Sequence, residues 1–326
     1  MVDHGVMKIA FVGKGGAGKT TTSSLFAQHV SYTHPVLAID ADINMHMAEL
    51  LKVTGNPASM MISERQPSGE LKKHLKGTNE RIASIDHFKK STPPGAGSNL
   101  INISDENDWF MNRFSRVSSP TLSLATVGTY SEEGIASSCY HNNLAILENT
   151  LSHMTDDGIA VVDMVAGTDA FASTLFAQFD VLFFVAEPTA RSLAVFEQYK
   201  ALATKGDVLD RLYVVGNKID DIDDEEFIRK AVGDRYVASI SRSSQILNVD
   251  KGRASLDASS MSGADIAALN KIELVAREHA TSAQSRLELL WKLHKVYVQQ
   301  SYIIERFGDL TAQIDPGFKY PSAAHE

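Results

Sequence analysis

The residues with the clearest chemistry are Gly13-Lys14-Gly15-Gly16-Ala17-Gly18-Lys19-Thr20. They match the spacing G-x-x-x-x-G-K-[ST]. Glycines at those positions let backbone N–H groups close around an anion without Cβ clashes. A lysine and a hydroxyl at the end of the run suit the outer phosphates of a nucleotide and a bound Mg²⁺. Gly13, Gly15, Gly16, Ala17, Gly18, Lys19, Thr20 and Thr21 are therefore expected to contact nucleotide phosphates, with Thr20 on the magnesium. Three further segments carry side chains of the same chemistry. Asp40 and Asp42 follow the apolar run from Val36, and Asp163 closes Ile159-Ala160-Val161-Val162. Asn217 and Lys218 close Leu212-Tyr213-Val214-Val215-Gly216. A lone acid after a buried strand is expected to hold Mg²⁺ through water, which gives Asp163 its role and makes Asp40 a second candidate for the magnesium shell. The Asn217 amide offers both a donor and an acceptor, which suits a purine edge.

These side chains need a scaffold that brings separate strand ends together. The phosphate loop sits between a strand over Lys8–Val12 and a helix over Thr20–Ser31, so the helix N-terminus adds its partial positive charge. Further strands are expected at Val36–Asp40, Thr121–Val127, Ile159–Met164, Val181–Ala186, Leu212–Asn217 and Tyr236–Ile240. Helices are expected at Asn142–His153, Phe171–Gln178, Ser192–Thr204 and Asp224–Val232. Alternation of buried strands and helices predicts an α/β fold, a mostly parallel twisted sheet with helices on both faces. In such sheets ligands sit at the carboxyl ends of strands. A segment of roughly residues 51–119, rich in Lys, Ser, Gly and Asn and containing Thr92-Pro93-Pro94-Gly95-Ala96-Gly97-Ser98, reads as an insertion, part of it mobile. A phosphate-loop domain over 1–260 and a C-terminal helical extension with a polar tail over 261–326 complete the expected organisation. In that extension Ile266, Leu269, Ile272, Leu287, Leu290 and Trp291 recur at helical spacing and are read as core-facing.

Bulk properties narrow the class. The chain has 326 residues, 44% hydrophobic and 22% charged, with a formal net charge of −9. That balance is ordinary for a globular protein and disfavours a nucleic-acid-binding surface. The extension mixes Glu, Gln, Lys and Arg rather than showing the basic face of a membrane-surface helix. No apolar run is long enough to span a bilayer, and nothing near Met1 resembles a signal peptide. Cys139 is the only cysteine, which excludes an intrachain disulfide and fits a reducing cytoplasm.

The second lysine of the loop refines this reading. Lys14-Gly-Gly-x-Gly-Lys19-Thr20 resembles the deviant Walker A motif of the MinD and ParA ATPases and the nitrogenase iron protein, within the SIMIBI class of P-loop proteins. The resemblance implies a homodimer formed on ATP binding, in which Lys14 reaches the partner's nucleotide and stabilises developing charge as an arginine finger does. It also implies that Asp42 in Asp40-Ala41-Asp42 orients the attacking water, that Gly167 hinges the segment after Asp163, and that Asn217 reads adenine. Glu187 and Pro188 in Ala186-Glu187-Pro188-Thr189 resemble the loop beside the base or the interface. Asn217-Lys218-Ile219-Asp220 also fits the guanine-reading N-K-x-D pattern; the deviant loop favours ATP over GTP. Lys14 as a solvated loop lysine and Asp40 or Asp42 as a helix cap are the plainer alternatives.

Across Lys14–Thr20, Leu37–Asp42, Thr126–Thr129, Val161–Gly167, Val185–Pro188 and Tyr213–Lys218 the chain resembles the CooC-type carbon monoxide dehydrogenase maturation ATPases. That resemblance implies a client metalloenzyme and, at a dimer interface, Ni²⁺ or Zn²⁺ held by C-x-C motifs. Here Ser137 stands at the first cysteine position and only Cys139 remains. Two thiolates per dimer fall short of the four preferred by closed soft-metal sites. His141 could complete such a set, and an inert Cys139 is the alternative. One cysteine also excludes a bridged [4Fe–4S] cluster of the iron-protein kind, which needs two per subunit.

Overall fold

A computed structural model describes residues 7–55, 57–129, 141–154, 158–171 and 173–321. Cys139 and Ser137 lie outside the described residues. Eight strands form one sheet: β1 (Met7–Gly13), β2 (Val36–Ala41), β3 (Ser115–Ser119), β4 (Leu122–Thr126), β5 (Ile159–Met164), β6 (Val181–Ala186), β7 (Leu212–Ile219) and β8 (Tyr236–Ser241). Their order is β3-β4-β2-β5-β1-β6-β7-β8, parallel throughout except for β3 against β4. Strand β3 was not foreseen: Ser-Arg-Val-Ser-Ser has no apolar alternation, and an antiparallel edge strand needs little of it.

Strands β1, β2, β5 and β6 are buried along their whole length. Their side chains alternate between two cores, as the period of two requires. Ile9, Phe11, Phe183 and Val185 face helices α1 (Lys19–Ser31) and α9 (Gly263–Glu278). The rings of Phe11, Phe26 and Phe183 stand 5.5 to 6.5 Å apart there. Ala10, Val12, Leu182 and Phe184 face the opposite layer, built from α3 (Arg65–Lys76), α4 (Trp109–Phe114), α5 (His141–Ser152), α6 (Ala190–Lys205) and α7 (Ile222–Val232). Two short helices, α2 (Met47–Leu50) and α8 (Ser244–Asp250), close the carboxyl end of the sheet. No described helix is long and apolar enough to cross a membrane.

Two expectations change. The helix over Phe171–Gln178 is instead a pair of 3-10 turns, Asp169–Phe171 and Leu175–Gln178. Ser173 Oγ accepts from the Leu175 N–H, and the Ser173 and Thr174 hydroxyls donate to the buried Glu148 carboxylate. Short polar side chains that capture nearby groups in this way compete with a regular helix. Within the insertion, part of which was expected to be mobile, the stretch from Ser91 to Ala96 is packed: Ser91 and Thr92 are buried, and Thr92 Oγ1 donates to Gln313 Oε1 at 2.9 Å. The Ala96 N–H donates to Asp315 Oδ2 at 2.9 Å, and Ser91 Oγ shares a hydrogen with His294 Nδ1 at 3.0 Å. The partners come from more than 200 residues away, so local sequence carries no sign of them.

The extension forms α9, α10 (Ala283–Val298) and α11 (Ser301–Phe307). Asp180, at the entrance of β6, ties it to the sheet. Its carboxylate accepts the backbone N–H groups of Lys8 and Thr281 at 2.8 Å each and the Arg286 guanidinium at 2.5 Å. Both side chains are almost fully buried, at 0% and 3% exposure. Removing one partner of such a pair leaves a desolvated charge behind. Asp180→Ala is therefore expected to cost about 3–5 kcal/mol in chemical denaturation. A loss under about 1 kcal/mol would mean that the pair is not what fastens α10.

Candidate functional site

The sheet changes direction at β1: α1 leads toward β2 on one side, and β6 to β8 lie on the other. Ligands in open α/β sheets bind in the crevice at such a switch point. The phosphate loop stands there. Gly13, Gly16 and Gly18 have φ of 144°, 81° and 89°. A Cβ on Gly13 would lie 2.7 Å from the Val185 carbonyl oxygen, and one on Gly18 would meet Asn217 Nδ2 at 2.1 Å. These two glycines are required by close approach as well as by backbone conformation. Gly15, Gly16, Gly18, Lys19, Thr20 and Thr21 line a cavity of about 680 Å³, whose far wall comes from Asn217, Lys218 and Ser241–Ser243. That volume lies within the usual range for small-molecule sites.

Register puts two acids side by side, since Asp40 on β2 pairs with Asp163 on β5. Both are fully buried. The Thr20 hydroxyl donates to Asp163 Oδ2 at 2.6 Å, while Asp163 Oδ1 is buried with no hydrogen-bond partner. Burial, then the neighbouring Asp40 charge, pushes the Asp163 carboxyl well above its ordinary range, against the Thr20 bond and the Lys19 charge. Burial likewise raises Asp40, to about 6. A buried carboxylate oxygen with no donor, beside a hydroxyl, fits a hard divalent cation that takes oxygen ligands. Thr20 and Asp163 are the open donors. Asp40 is already engaged: Oδ1 accepts the Asp42 N–H at 3.1 Å and Oδ2 the Met47 N–H at 2.9 Å. It shapes the loop into α2 rather than offering a bare ligand position.

Asp42 lies on the cavity wall, 8% exposed, and its Oδ1 accepts the Asn44 N–H at 3.0 Å and Asn44 Nδ2 at 2.9 Å. Asn44 thus fastens the carboxylate from two atoms. Gly167 takes a left-handed backbone conformation, with φ 98°, that favours glycine. Its N–H donates to the Gly13 carbonyl at 3.3 Å, and the Tyr199 hydroxyl donates to the Gly167 carbonyl. The segment after Asp163 is thus latched to the phosphate loop through backbone groups.

Asn217 Nδ2 donates to the Ala17 carbonyl at 2.8 Å, bracing the loop from below. Lys218, at φ 61°, reaches the Gly16 carbonyl at 2.5 Å and Glu187 Oε1 at 2.8 Å. Lys14 donates to the Gly15 carbonyl at 3.1 Å and stands 3.8 Å from Glu187 Oε2. Glu187 therefore sits between both lysines, at the turn with Pro188 that leads into α6. Lys14 does not line the cavity; it stands on the outer rim with its side chain about one-third exposed. Sequence inspection missed Arg242, which follows β8 and lines the cavity. Its Nε donates to both Asp220 oxygens at 3.0 and 2.9 Å. The rule that ligands meet strand carboxyl ends could have found it. Among the described residues, no group of three or more His, Cys, Asp and Glu side chains is arranged to hold a metal ion.

Comparison with known proteins agrees with this geometry. The CobQ/CobB/MinD/ParA nucleotide-binding domain matches residues 9–255. An uncharacterized ATP-binding protein of Methanocaldococcus jannaschii is 26% identical over 233 residues, 70% of this chain and 82% of that protein. The carbon monoxide dehydrogenase accessory protein CooC of Rhodospirillum rubrum is 28% identical over 202 residues, 60% of this chain and 69% of CooC. The crystal structure of a ParA family ATPase from Chlorobium tepidum shares the fold, with a TM-score of 0.52 at 17% identity, covering 88% of this chain and 99% of that one. With the motif, the switch-point cleft and the matched residues in agreement, the chain belongs to the CobQ/CobB/MinD/ParA nucleotide-binding domain family.

Proposed function

We propose that this protein is a dimeric ATP-hydrolysing switch that acts on a client enzyme in the manner of CooC. It is carried by one juxtaposition: a lysine-bearing phosphate loop whose Lys14 stands beside Glu187 rather than among the residues lining the cavity, together with a buried Thr20–Asp163 pair. In this scheme the backbone of Gly15–Thr20 and the Lys19 ammonium hold the β- and γ-phosphates. Asp42 orients water, and Lys14 is supplied to the partner's nucleotide. Mg²⁺, held by Thr20 and Asp163, would neutralise phosphate charge. Ion pairing of Asp220 with Arg242 favours adenine, which does not use that carboxylate, over guanine.

The CooC-like role is supported by the 28% identity to CooC over 202 residues. Cys139 is its weak point. Equilibrium dialysis of the ATP-bound protein with Ni²⁺ and Zn²⁺ is expected to show stoichiometric binding that Cys139→Ser abolishes. Binding unchanged by that substitution removes Cys139 from any metal site. No binding at all leaves an ATPase that drives a client without carrying metal. A positioning ATPase of the ParA or MinD kind is the second reading, favoured by the shared fold. ATP-dependent pelleting with liposomes or DNA would establish it, although a net charge of −9 opposes attraction to either polyanionic surface.

A further inference from the structure

A second cavity, of about 900 Å³, shares no lining residue with the nucleotide cleft. It opens between α3, the 3-10 turn Ile85–His87 with the residues after it, α5, and the two last helices. Its charged lining is Arg65, Lys72, Lys89, Lys90 and Arg306 against the single carboxylate of Asp86. Among the described residues none of these five cations makes a salt bridge, and Lys72 has no hydrogen-bond acceptor at all. Three are instead propped on rings. The Lys89 ammonium stands 3.0 Å from the Phe307 ring centre, Lys90 is 4.8 Å from that of Tyr297, and the Arg306 guanidinium is 5.1 Å from that of Phe307. Cation–π contact holds a cation in place without neutralising it. The Lys89 Nζ also donates to the Asp86 carbonyl, which fixes the head group further.

The cations repel one another. Burial, then Lys72 and Arg306, lowers the Lys89 ammonium to about 8, and burial lowers Lys72 as well. Glu148, close enough to feel Lys90, is a weak counter-charge, because burial pushes its carboxyl up to about 8 against the Lys90 charge and the Ser173 hydrogen bond. A fold has no stability reason to gather five cations around a half-buried concavity and leave them unmatched. A bound anion relieves the repulsion through charge-assisted hydrogen bonds.

We infer that this cavity is a binding site for a small polyanion bearing several phosphate or carboxylate groups, separate from the nucleotide cleft. The concave shape and a volume suited to a small molecule favour such a ligand over an extended acidic surface. Ser173, at the mouth of this cavity, lies six residues beyond Gly167 on the segment that leaves Asp163, so the same stretch of chain borders both cavities.

The test uses the full chain carrying Lys19→Ala, without magnesium, so that the nucleotide loop no longer competes for the probe. Pyrophosphate and citrate are titrated separately by calorimetry, which distinguishes phosphate from carboxylate ligands. At least one is expected to bind at one equivalent and to raise the melting temperature, with affinity falling as salt rises. Adding Lys72→Met and Lys89→Met should weaken binding at least tenfold while leaving the unliganded protein no less stable, because two repelling cations are removed. Arg306→Gln, on an exposed residue that does not threaten folding, should weaken it severalfold. Absence of binding by both probes, binding undiminished in the lysine variants, or binding of heparin alone would each overturn the proposal.

Discussion

Lys14→Ala is expected to lower ATP turnover by about a thousandfold while changing nucleotide affinity less than about threefold, as for loss of an arginine finger. The separation follows from where Lys14 stands. It is not among the residues that line the cavity with Lys19, Thr20 and Thr21, so in the proposed dimer its loss should spare most of the contacts to a chain's own nucleotide. Its partners within the chain are the Gly15 carbonyl and, at 3.8 Å, Glu187. Such a half-exposed ion pair contributes less than about 1 kcal/mol, so stability should barely change. In the proposed dimer the same weakness would let the lysine leave Glu187 for the partner's phosphates. Steady-state turnover and fluorescent ADP binding, measured side by side, check the outcome. Turnover within twofold of the parent protein would remove Lys14 from the chemistry and reduce it to a rim residue that helps Lys218 hold Glu187.

Asp42→Asn is the second large effect. Asparagine matches aspartate in shape and keeps an oxygen for the Asn44 N–H, so the loop should hold. It loses the negative charge that orients and polarises an attacking water, a role that commonly contributes about 10²- to 10⁴-fold. ATP should bind but turn over at least a hundredfold more slowly, and the dimer formed on ATP should accumulate in size-exclusion chromatography. If the variant stays monomeric with ATP, either Asp42 is mainly the Asx-turn acceptor seen here or ATP does not drive dimerisation. Dimerisation of the parent protein under the same conditions separates the two. The Asp180→Ala and polyanion experiments probe different parts of the molecule, and neither depends on dimerisation.

Much of the nucleotide site was legible in order along the chain. The loop Gly13–Thr20, the acids Asp40, Asp42 and Asp163, and Asn217-Lys218 each end a short apolar run. Strand periodicity and the rule that strand carboxyl ends converge are enough to bring them together. Local information also placed the parallel strands closely, because buried strands in a two-faced sheet read as unbroken apolar segments.

What only the tertiary structure decided concerns partners distant in sequence. No spacing rule connects Lys14 and Lys218 through Glu187, since Lys14 and Glu187 follow β1 and β6 and Lys218 stands near the end of β7, joined only by strand order. Asp40 and Asp163 are 123 residues apart, and their shared burial, with the raised carboxyl groups it causes, follows from β2 and β5 being neighbours. The basic cavity is the extreme case. Its lysines belong to a segment that reads only as an insertion, and they meet where Thr92 and Ala96 are fastened to Gln313 and Asp315 and the last two helices line the cavity. Chemistry carried by consecutive residues is written in the sequence. Charge, burial and pairing depend on what the fold brings alongside, and there the sheet order and the C-terminal helices were decisive.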